Sequence, residues 1–444
     1  MPSLRHRSEL LAAITRGHRD PTDFALGLEY EIFPVWPDGR AISYGGPGGV
    51  EELLHDLAER SGWRRIEEAG RLLGLAGPKG NGFTLEPGAQ LEFNSSPCRR
   101  LPELAAELGQ ALDLLEGLCR ERGILFLGLG AQPVDPPERI DRIPKARYDV
   151  LEPYLAGAGE LGLWMMKTTC GTQVNFDHAD AADAARKMRL GFRLAPILAA
   201  LFANSAVRAG ELSGFASWRG HVWTRTDPAR CGIPAALCRP TASLEDYVDW
   251  ALAAPMLFRI DAGGEVRDGR GRSFGEAFAA GEATAADWDL HLSTLFPEVR
   301  FRPQLEIRST DTCCPDLALA LAALVKGVFY SESALAEAEA LVADWNPHEL
   351  VATWKDAHHR GLGTPIGRGL RLRDLAARLL DLAVLDEEEA PFLAPLHRLL
   401  EDGRSEGEQT ADLFERGWEE DPIGRLIEAA TCLPRSASPD LSES

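Results

Sequence analysis

The stretch Gly27-Leu28-Glu29-Tyr30-Glu31-Ile32, inside residues 24–35 (FALGLEYEIFPV), decides how this chain reads. Large apolar residues alternate with Gly and Glu, the period of a strand with a buried face. Residues at i and i+2 share a face, so Glu29 and Glu31 stand side by side on it. Neighbouring carboxylates repel each other unless a cation lies between them. One acidic pair of this kind is compatible with a plain solvated strand face. The arrangement returns, however, in Gln90 and Glu92 with Glu86 just upstream, in Glu306 and Arg308, and in Gln173, Asn175 and Asp177. Each set lies in an otherwise apolar, strand-like segment. The expectation is a sheet with carboxylates and amides along one face. Oxygen ligands with few histidines favour Mg²⁺, with Mn²⁺ possible, over zinc. Mg²⁺ usually bridges to substrate phosphates, so such a face points to a nucleoside triphosphate.

Outward from this stretch, the pattern predicts helices over 50–61, 101–122, 181–204, 245–253, 317–330 and 333–344, and a short amphipathic helix near the N-terminus. Residues 83–95 read as two short strands around Pro87-Gly88, and residues 124–131, 164–177 and 301–309 as further strands. Residues 256–260 read as extended and 261–272 as a hairpin or surface loop. From 371 to 430 the chain reads helical, and 436–444 reads as a disordered polar tail. Helix and strand signals alternate without a strict βαβ period. The Gly-rich run Gly45-Gly46-Pro47-Gly48-Gly49 lacks the Lys-Ser/Thr of a phosphate loop. Any phosphate is then expected on metal and Arg side chains.

The chain has 444 residues, 45% of them hydrophobic and 26% charged, which excludes a collagenous or wholly disordered protein. Its formal charge of −21 opposes nucleic acid and anionic membranes at long range. Eight cysteines without metal-binding spacing point to a reducing, cytoplasmic location. The first 20 residues are too polar for a signal peptide, and no apolar run reaches the roughly 20 residues of a membrane span.

Several segments resemble the plant and proteobacterial type of glutamate–cysteine ligase. They are Gly27 to Glu31, Leu85-Glu86-Pro87-Gly88-Ala89-Gln90-Leu91-Glu92, Met165-Met166 with Thr169-Cys170, and Gln173-Val174-Asn175-Phe176-Asp177. Ala203-Asn204-Ser205, Trp218-Arg219-Gly220-His221-Val222-Trp223 and Asp246 to Leu252 continue the likeness. It is clearest in His291-Leu292-Ser293-Thr294-Leu295-Phe296-Pro297-Glu298-Val299-Arg300, followed by Leu305-Glu306-Ile307-Arg308. The segments run in one order from about residue 25 to 330.

The resemblance implies an α+β fold: a saddle-shaped, mainly antiparallel sheet like that of glutamine synthetase, flanked by helices. With it goes a catalytic domain over 1–370, a helical C-terminal extension over 371–432 packed on it, and a tail over 433–444. It implies that ATP phosphorylates the γ-carboxylate of glutamate and that the amine of cysteine then displaces the phosphate. Carried over residue by residue, Glu29, Glu31, Glu86, Glu92 and Glu306 would be metal ligands, and Arg308 would neutralise the transferring phosphoryl group beside Glu306. Gln173 and Asn175 would contact the metal–nucleotide or glutamate, Arg219 a substrate carboxylate, and Trp218 the substrate or nucleotide. Arg219 could equally serve a structural ion pair, and Trp218 and Trp223 plain core packing. Partners would be glutamate, cysteine and ATP, with no nucleic acid or membrane, in a monomer or homodimer. After Arg308 the family usually shows a Gly-rich acidic stretch, whereas this chain has Ser309-Thr310-Asp311-Thr312-Cys313-Cys314. The alternatives are a γ-glutamyl ligase for another amine, or a non-catalytic binding regulator.

Overall fold

The computed structural model describes residues 3–261 and 263–433. Among the described residues, nine strands form one antiparallel sheet. They are β1 (Leu26–Val35), β2 (Arg64–Glu68), β3 (Arg71–Ala76), β4 (Gly82–Leu85), β5 (Leu91–Asn94), β6 (Leu125–Leu127), β7 (Gly171–Phe176), β8 (Val299–Phe301) and β9 (Leu305–Asp311). Their order is β8-β9-β7-β1-β5-β4-β3-β2, with β6 pairing the end of β1. The helices lie outside this sheet, so the architecture is α+β as expected.

Register makes the two faces chemically opposite. Glu31 lies across from Glu92, and Glu29 lies between Asn94 and Gln173. Asn175 lies across from Glu306, which in turn faces Arg300. One face therefore carries a polar row. The other carries Leu28, Tyr30, Ile32, Leu91, Phe93, Val174, Phe176, Leu305 and Ile307, all buried. That apolar face packs on the helices Val50–Ser61, Leu101–Arg122, Ala181–Leu201 and Pro315–Phe329. At roughly 1.5–3 kcal/mol per large apolar side chain removed from water, this layer holds the polar row in place. The helix Leu101–Arg122 stops where predicted because Gly123 adopts φ +62°, which closes the C-terminal turn at no Cβ cost. Of the helices in the core, none is long and apolar enough to cross a membrane among the described residues.

Several sequence expectations hold closely, including the helices over 50–61 and 101–122 and the paired strands around Pro87-Gly88. The leading helix is Arg7–Thr15, which buries Leu10 and Ile14. The hairpin near 261–272 forms from Phe258–Ile260 and Val266–Asp268. The region after 371 is helical in pieces: Leu372–Asp381, Ala394–Asp402, Glu406–Asp412 and Pro422–Ala430, with short turns between. The polar tail expected at 436–444 lies outside the described residues.

Other expectations fail for identifiable reasons. The strand predicted over 164–177 is a helix, Gly162–Thr168, followed by β7. The hydroxyls of Thr168 and Thr169 donate to the carbonyls of Trp164 and Met165 at 2.6 Å each, serving backbone acceptors at the helix end. The strand predicted over 301–309 is one arm of a hairpin. Pro303 sits at the turn, with Arg302 N–H donating to Gln304 O (2.8 Å), and β8 pairs back onto β9. The strand predicted over 124–131 is only β6. Beyond it, Gly128 N–H donates to Ala430 O (2.9 Å) and Gly130 N–H to Asn204 O (2.9 Å), so the backbone leaves the sheet. The hairpin β2–β3 carried no strand signal, because β2 (RRIEE) is a largely exposed, charged edge strand.

Candidate active site

The polar row floors a cavity of about 540 Å³. Glu29, Glu31, Glu86 and Glu92 line it together with Gln173, Arg219 and Arg308. Three expected residues are not on its wall: Glu306, Asn175 and Trp218.

The carboxylates are crowded. Glu31 accepts from Gly171 N–H (2.5 Å) and Gln173 Nε2 (2.6 Å), Glu29 from Asn175 Nδ2 (2.8 Å), and Glu92 from the Thr84 hydroxyl and Asn94 Nδ2 (3.1 Å). Burial and the negative charges of Glu306 and Glu92 push Glu29 up to about 7. Burial, with Glu86 and Glu92 close by, pushes Glu31 well above the carboxylate range, and burial followed by Glu86 raises Glu92. Like charges directly across a strand pair are unfavourable, so the row is built against its own stability unless positive charge enters it. Glu86 stands on the turn between β4 and β5, where Ala89 holds φ +67°, a strained conformation for a residue with a Cβ. Among the described residues, no three His, Cys, Asp or Glu side chains converge in a geometry that could hold a metal ion.

Glu306 is occupied differently from the other four. It is 1% exposed, and both its oxygens are taken by guanidinium groups. Arg300 binds it with two contacts, Nε to Oε2 at 2.8 Å and Nη2 to Oε1 at 3.0 Å, and Arg308 adds a further contact. Although burial acts upward, Arg300 and then Arg308 hold its carboxyl down at about 2. Its lone pairs serve arginines, so it anchors the basic side of the cavity rather than offering a free ligand. Arg308 also donates to Gln173 Oε1, and Gln173 thus links Arg308 to Glu31. Asn175 acts from behind, through its bond to Glu29.

Arg219 comes from the short helix Trp218–Thr224. Asp311, at the end of β9, organises the start of that helix. It accepts from Ser205 Oγ (2.6 Å) and Ser217 Oγ (2.8 Å); those hydroxyls in turn accept Arg219 N–H (3.0 Å) and Gly220 N–H (2.9 Å). The guanidinium lies flat over β7, where a Cβ on Gly171 would come within 2.9 Å of its Cζ. Trp218 turns the other way, under Arg208 (4.6 Å) and against Phe215 and Trp164. Its neighbour on the next turn, Trp223, lines the cavity instead, with Arg219 and Arg308 each 5.9 Å from its ring. A seven-residue helix cannot present both rings to one side, and spacing alone does not say which is chosen.

Sequence reasoning missed Arg300, Arg302, Lys145, Arg147 and Tyr148, all of which line the cavity. Arg300 was one residue outside the predicted strand. Lys145 and Arg147 lie between β6 and the helix Tyr148–Ala158, in a segment with no periodic signal.

The family model of glutamate–cysteine ligase family 2 matches residues 25–429. The chain is 35% identical over 433 residues to the chloroplastic glutamate–cysteine ligase of Brassica juncea, covering 94% of this chain and 83% of that one. It is likewise 35% identical to the Arabidopsis thaliana enzyme of the same name, over 94% of this chain and 82% of that protein. Among solved structures, the glutamate–cysteine ligase of Francisella tularensis in complex with AMP aligns with a TM-score of 0.56 at 11% identity, over 92% of this chain and 87% of that one, a likeness of fold. With a match over nearly its whole length, the chain belongs to the glutamate–cysteine ligase family 2.

Proposed function

We propose that the protein joins the γ-carboxylate of glutamate to the amine of cysteine at the expense of ATP, giving γ-glutamylcysteine, ADP and phosphate, the first step of glutathione-type thiol synthesis. The observation that carries this is the floor of the cavity. A band of mutually repelling carboxylates, Glu29, Glu31, Glu86 and Glu92, lies beside Arg308, Arg300 and Arg219 in a chain of this family.

A carboxylate is a poor acyl donor until one oxygen becomes a leaving group, and phosphorylation supplies that. The donor set fits hard divalent cations: Glu29, Glu31 and Glu92 are raised in proton affinity by burial and by neighbouring carboxylates, and among the described residues none of the four carboxylates is held in an ion pair. Each ion would take one or two carboxylates, with water and substrate oxygens completing its shell, the usual habit of Mg²⁺. Bound there, Mg²⁺ supplies charge neutralisation for the phosphate oxygens.

The side chains account for the rest. Arg308, fixed by Glu306 and Gln173, presents a permanent positive charge to the phosphoryl group as it moves. Arg219, laid over Gly171 and fixed through Asp311, offers its planar fork to a substrate carboxylate. Trp223 and Phe296 close the wall beside Arg308. The test is product formation by the purified protein with ATP, MgCl₂, glutamate and each of the twenty amino acids in turn. γ-Glutamylcysteine as the main product is expected. Cysteine performing no better than alanine, with another amine far better, overturns the choice of acceptor.

A further inference from the structure

Arg219 is supported from behind by parts of the chain that lie far from the cavity. The network that starts its helix runs through two hydroxyls. Ser205 Oγ and Ser217 Oγ both donate to Asp311, and they accept the N–H groups of Arg219 and Gly220. The two serines lie side by side, with Ser205 N–H donating to Ala216 O (3.1 Å) and Trp218 N–H to Ser205 O (3.0 Å). Their positions therefore depend on what the backbone at Ala203 and Ala216 rests against.

It rests against Gly407, in the first turn of the helix Glu406–Asp412. Gly407 N–H donates to Ala203 O (2.7 Å), and a Cβ here would lie 2.1 Å from Ala216 O and 3.0 Å from Ala203 O. Both are backbone atoms, which cannot swing aside as the tip of a side chain can. Only glycine lets backbone approach backbone this closely. The helix is itself pinned. Its cap residue Ser405 is fully buried, and Glu408 accepts from Ser405 N–H, Ser405 Oγ and Leu362 N–H, at 2.9 Å each. Leu362 follows the helix Pro347–Arg360, which is the second support. There His358 O accepts Ser217 N–H (2.9 Å), and the His358 ring packs so closely that a Cβ on Gly220 would lie 2.0 Å from its Nδ1. Two supports thus meet under the start of the Arg219 helix, and Glu408 ties one to the other.

We propose that Gly407, on the helix Glu406–Asp412, is a positioning residue for Arg219, so that the C-terminal helical region sets where the carboxylate of an amino-acid substrate is held. This rests on the ligase reading above. Gly407 backs Ala203 and Ala216, these place Ser205 and Ser217, and the two hydroxyls fix the backbone from which the guanidinium reaches over Gly171. A planar fork recognises a carboxylate through two parallel contacts, so a small displacement of its base loses the match while the charge remains.

The test compares wild type, Gly407→Ala and Gly407→Val in the full chain, each also made together with Arg219→Lys. KM for glutamate and for cysteine, kcat, Mg·ATP binding without turnover and melting temperature are measured. The added carbons push Ala203 and Ala216 away, and a shift of about 1 Å is expected to raise the KM of one amino acid roughly tenfold or more, with Mg·ATP binding within about twofold. With Arg219→Lys the fork is already lost, so the same substitutions should then change that KM by less than about twofold, as for residues acting as one unit. If Gly407→Val fails to fold, Gly407→Ala carries the test. A folded variant with both KM values unchanged overturns the proposal, whether or not its melting temperature falls, because Gly407 then serves packing alone. A KM rise of equal size in the Arg219→Lys background overturns it as well. A wild type that makes no γ-glutamyl product overturns the ligase reading instead. Crystal structures of wild type and Gly407→Ala then decide the proposal: Arg219 displaced from Gly171 upholds it, and Arg219 in place overturns it.

Discussion

Replacing Glu306 by Gln separates two roles that one strand face could give it. As a metal ligand, Glu306 would be a fifth repelling carboxylate, and its removal would relieve the apo protein. As the anchor of Arg300 and Arg308, its removal leaves two buried guanidinium groups without their counter-charge. The geometry supports the second: 1% exposure, paired contacts of 2.8 and 3.0 Å to Arg300, and a further contact to Arg308. Breaking a buried ion pair from one side costs about 3–5 kcal/mol. With an unfolding entropy of about 2.1 cal/mol/K per residue, a cooperative chain of this length loses roughly 4 °C of melting temperature. Because its folded pKa is lowered from 4.5 to about 2, the stability Glu306 contributes is present above about pH 4.5 and lost as pH falls towards 2. The gap between wild type and Glu306→Gln is therefore full at pH 7.5 and narrows in acid. The assay is thermal unfolding in EDTA and in MgCl₂, with Glu92→Gln as the contrasting variant, whose melting temperature in EDTA should hold or rise. An Glu306→Gln protein that is as stable as wild type in EDTA and has lost Mg²⁺ affinity refutes the anchoring argument.

Arg308→Ala should lower kcat by roughly 10²–10³ with little change in KM for glutamate, since its charge counts most while the phosphoryl group is in transit; a raised KM at normal kcat would place it in ground-state binding. Glu29 sets a pH dependence of the opposite sign to Glu306. Its pKa rises from 4.5 to about 7 on folding, so the metal-free protein should lose stability as pH climbs through that window and level off above it. Melting curves in EDTA from pH 5 to 8 test this, and Glu29→Gln should flatten the trend; an equal slope in the variant removes Glu29 as its source. Gly171→Ala should displace the Arg219 guanidinium, raising an amino-acid KM with a smaller effect on stability; unchanged kinetics would show that the position of Arg219 over β7 is not needed.

The sequence by itself determined the character of the sheet and most of the acidic band. Period-two alternation is local and survives without knowledge of neighbours, so Glu29, Glu31, Glu92, Gln173 and Arg308 could be assigned to one kind of face before any pairing was known. The helices over 50–61 and 101–122 were legible for the same reason, their apolar spacing and αL glycine stops lying within a few residues of one another. What only the tertiary structure decided was partnership. Glu306 has the same strand parity and residue type as the other carboxylates of the row, and only the β8–β9 hairpin turn at Pro303 brings Arg300 opposite it and fills its lone pairs. Trp218 and Trp223 are equivalent in composition, and the packing of Arg208 and Phe215 outside the cavity separates them. Lys145 and Arg147 carry no periodic signal and reach the site because Ile143 and Ala146 bond to the β4–β5 turn and to Glu68. A charge acquires its role from what lies within a few ångströms of it, and those distances are set by turns and pairings, from the six residues between Arg300 and Glu306 to the 78 between Glu68 and Ala146, that local periodicity does not encode.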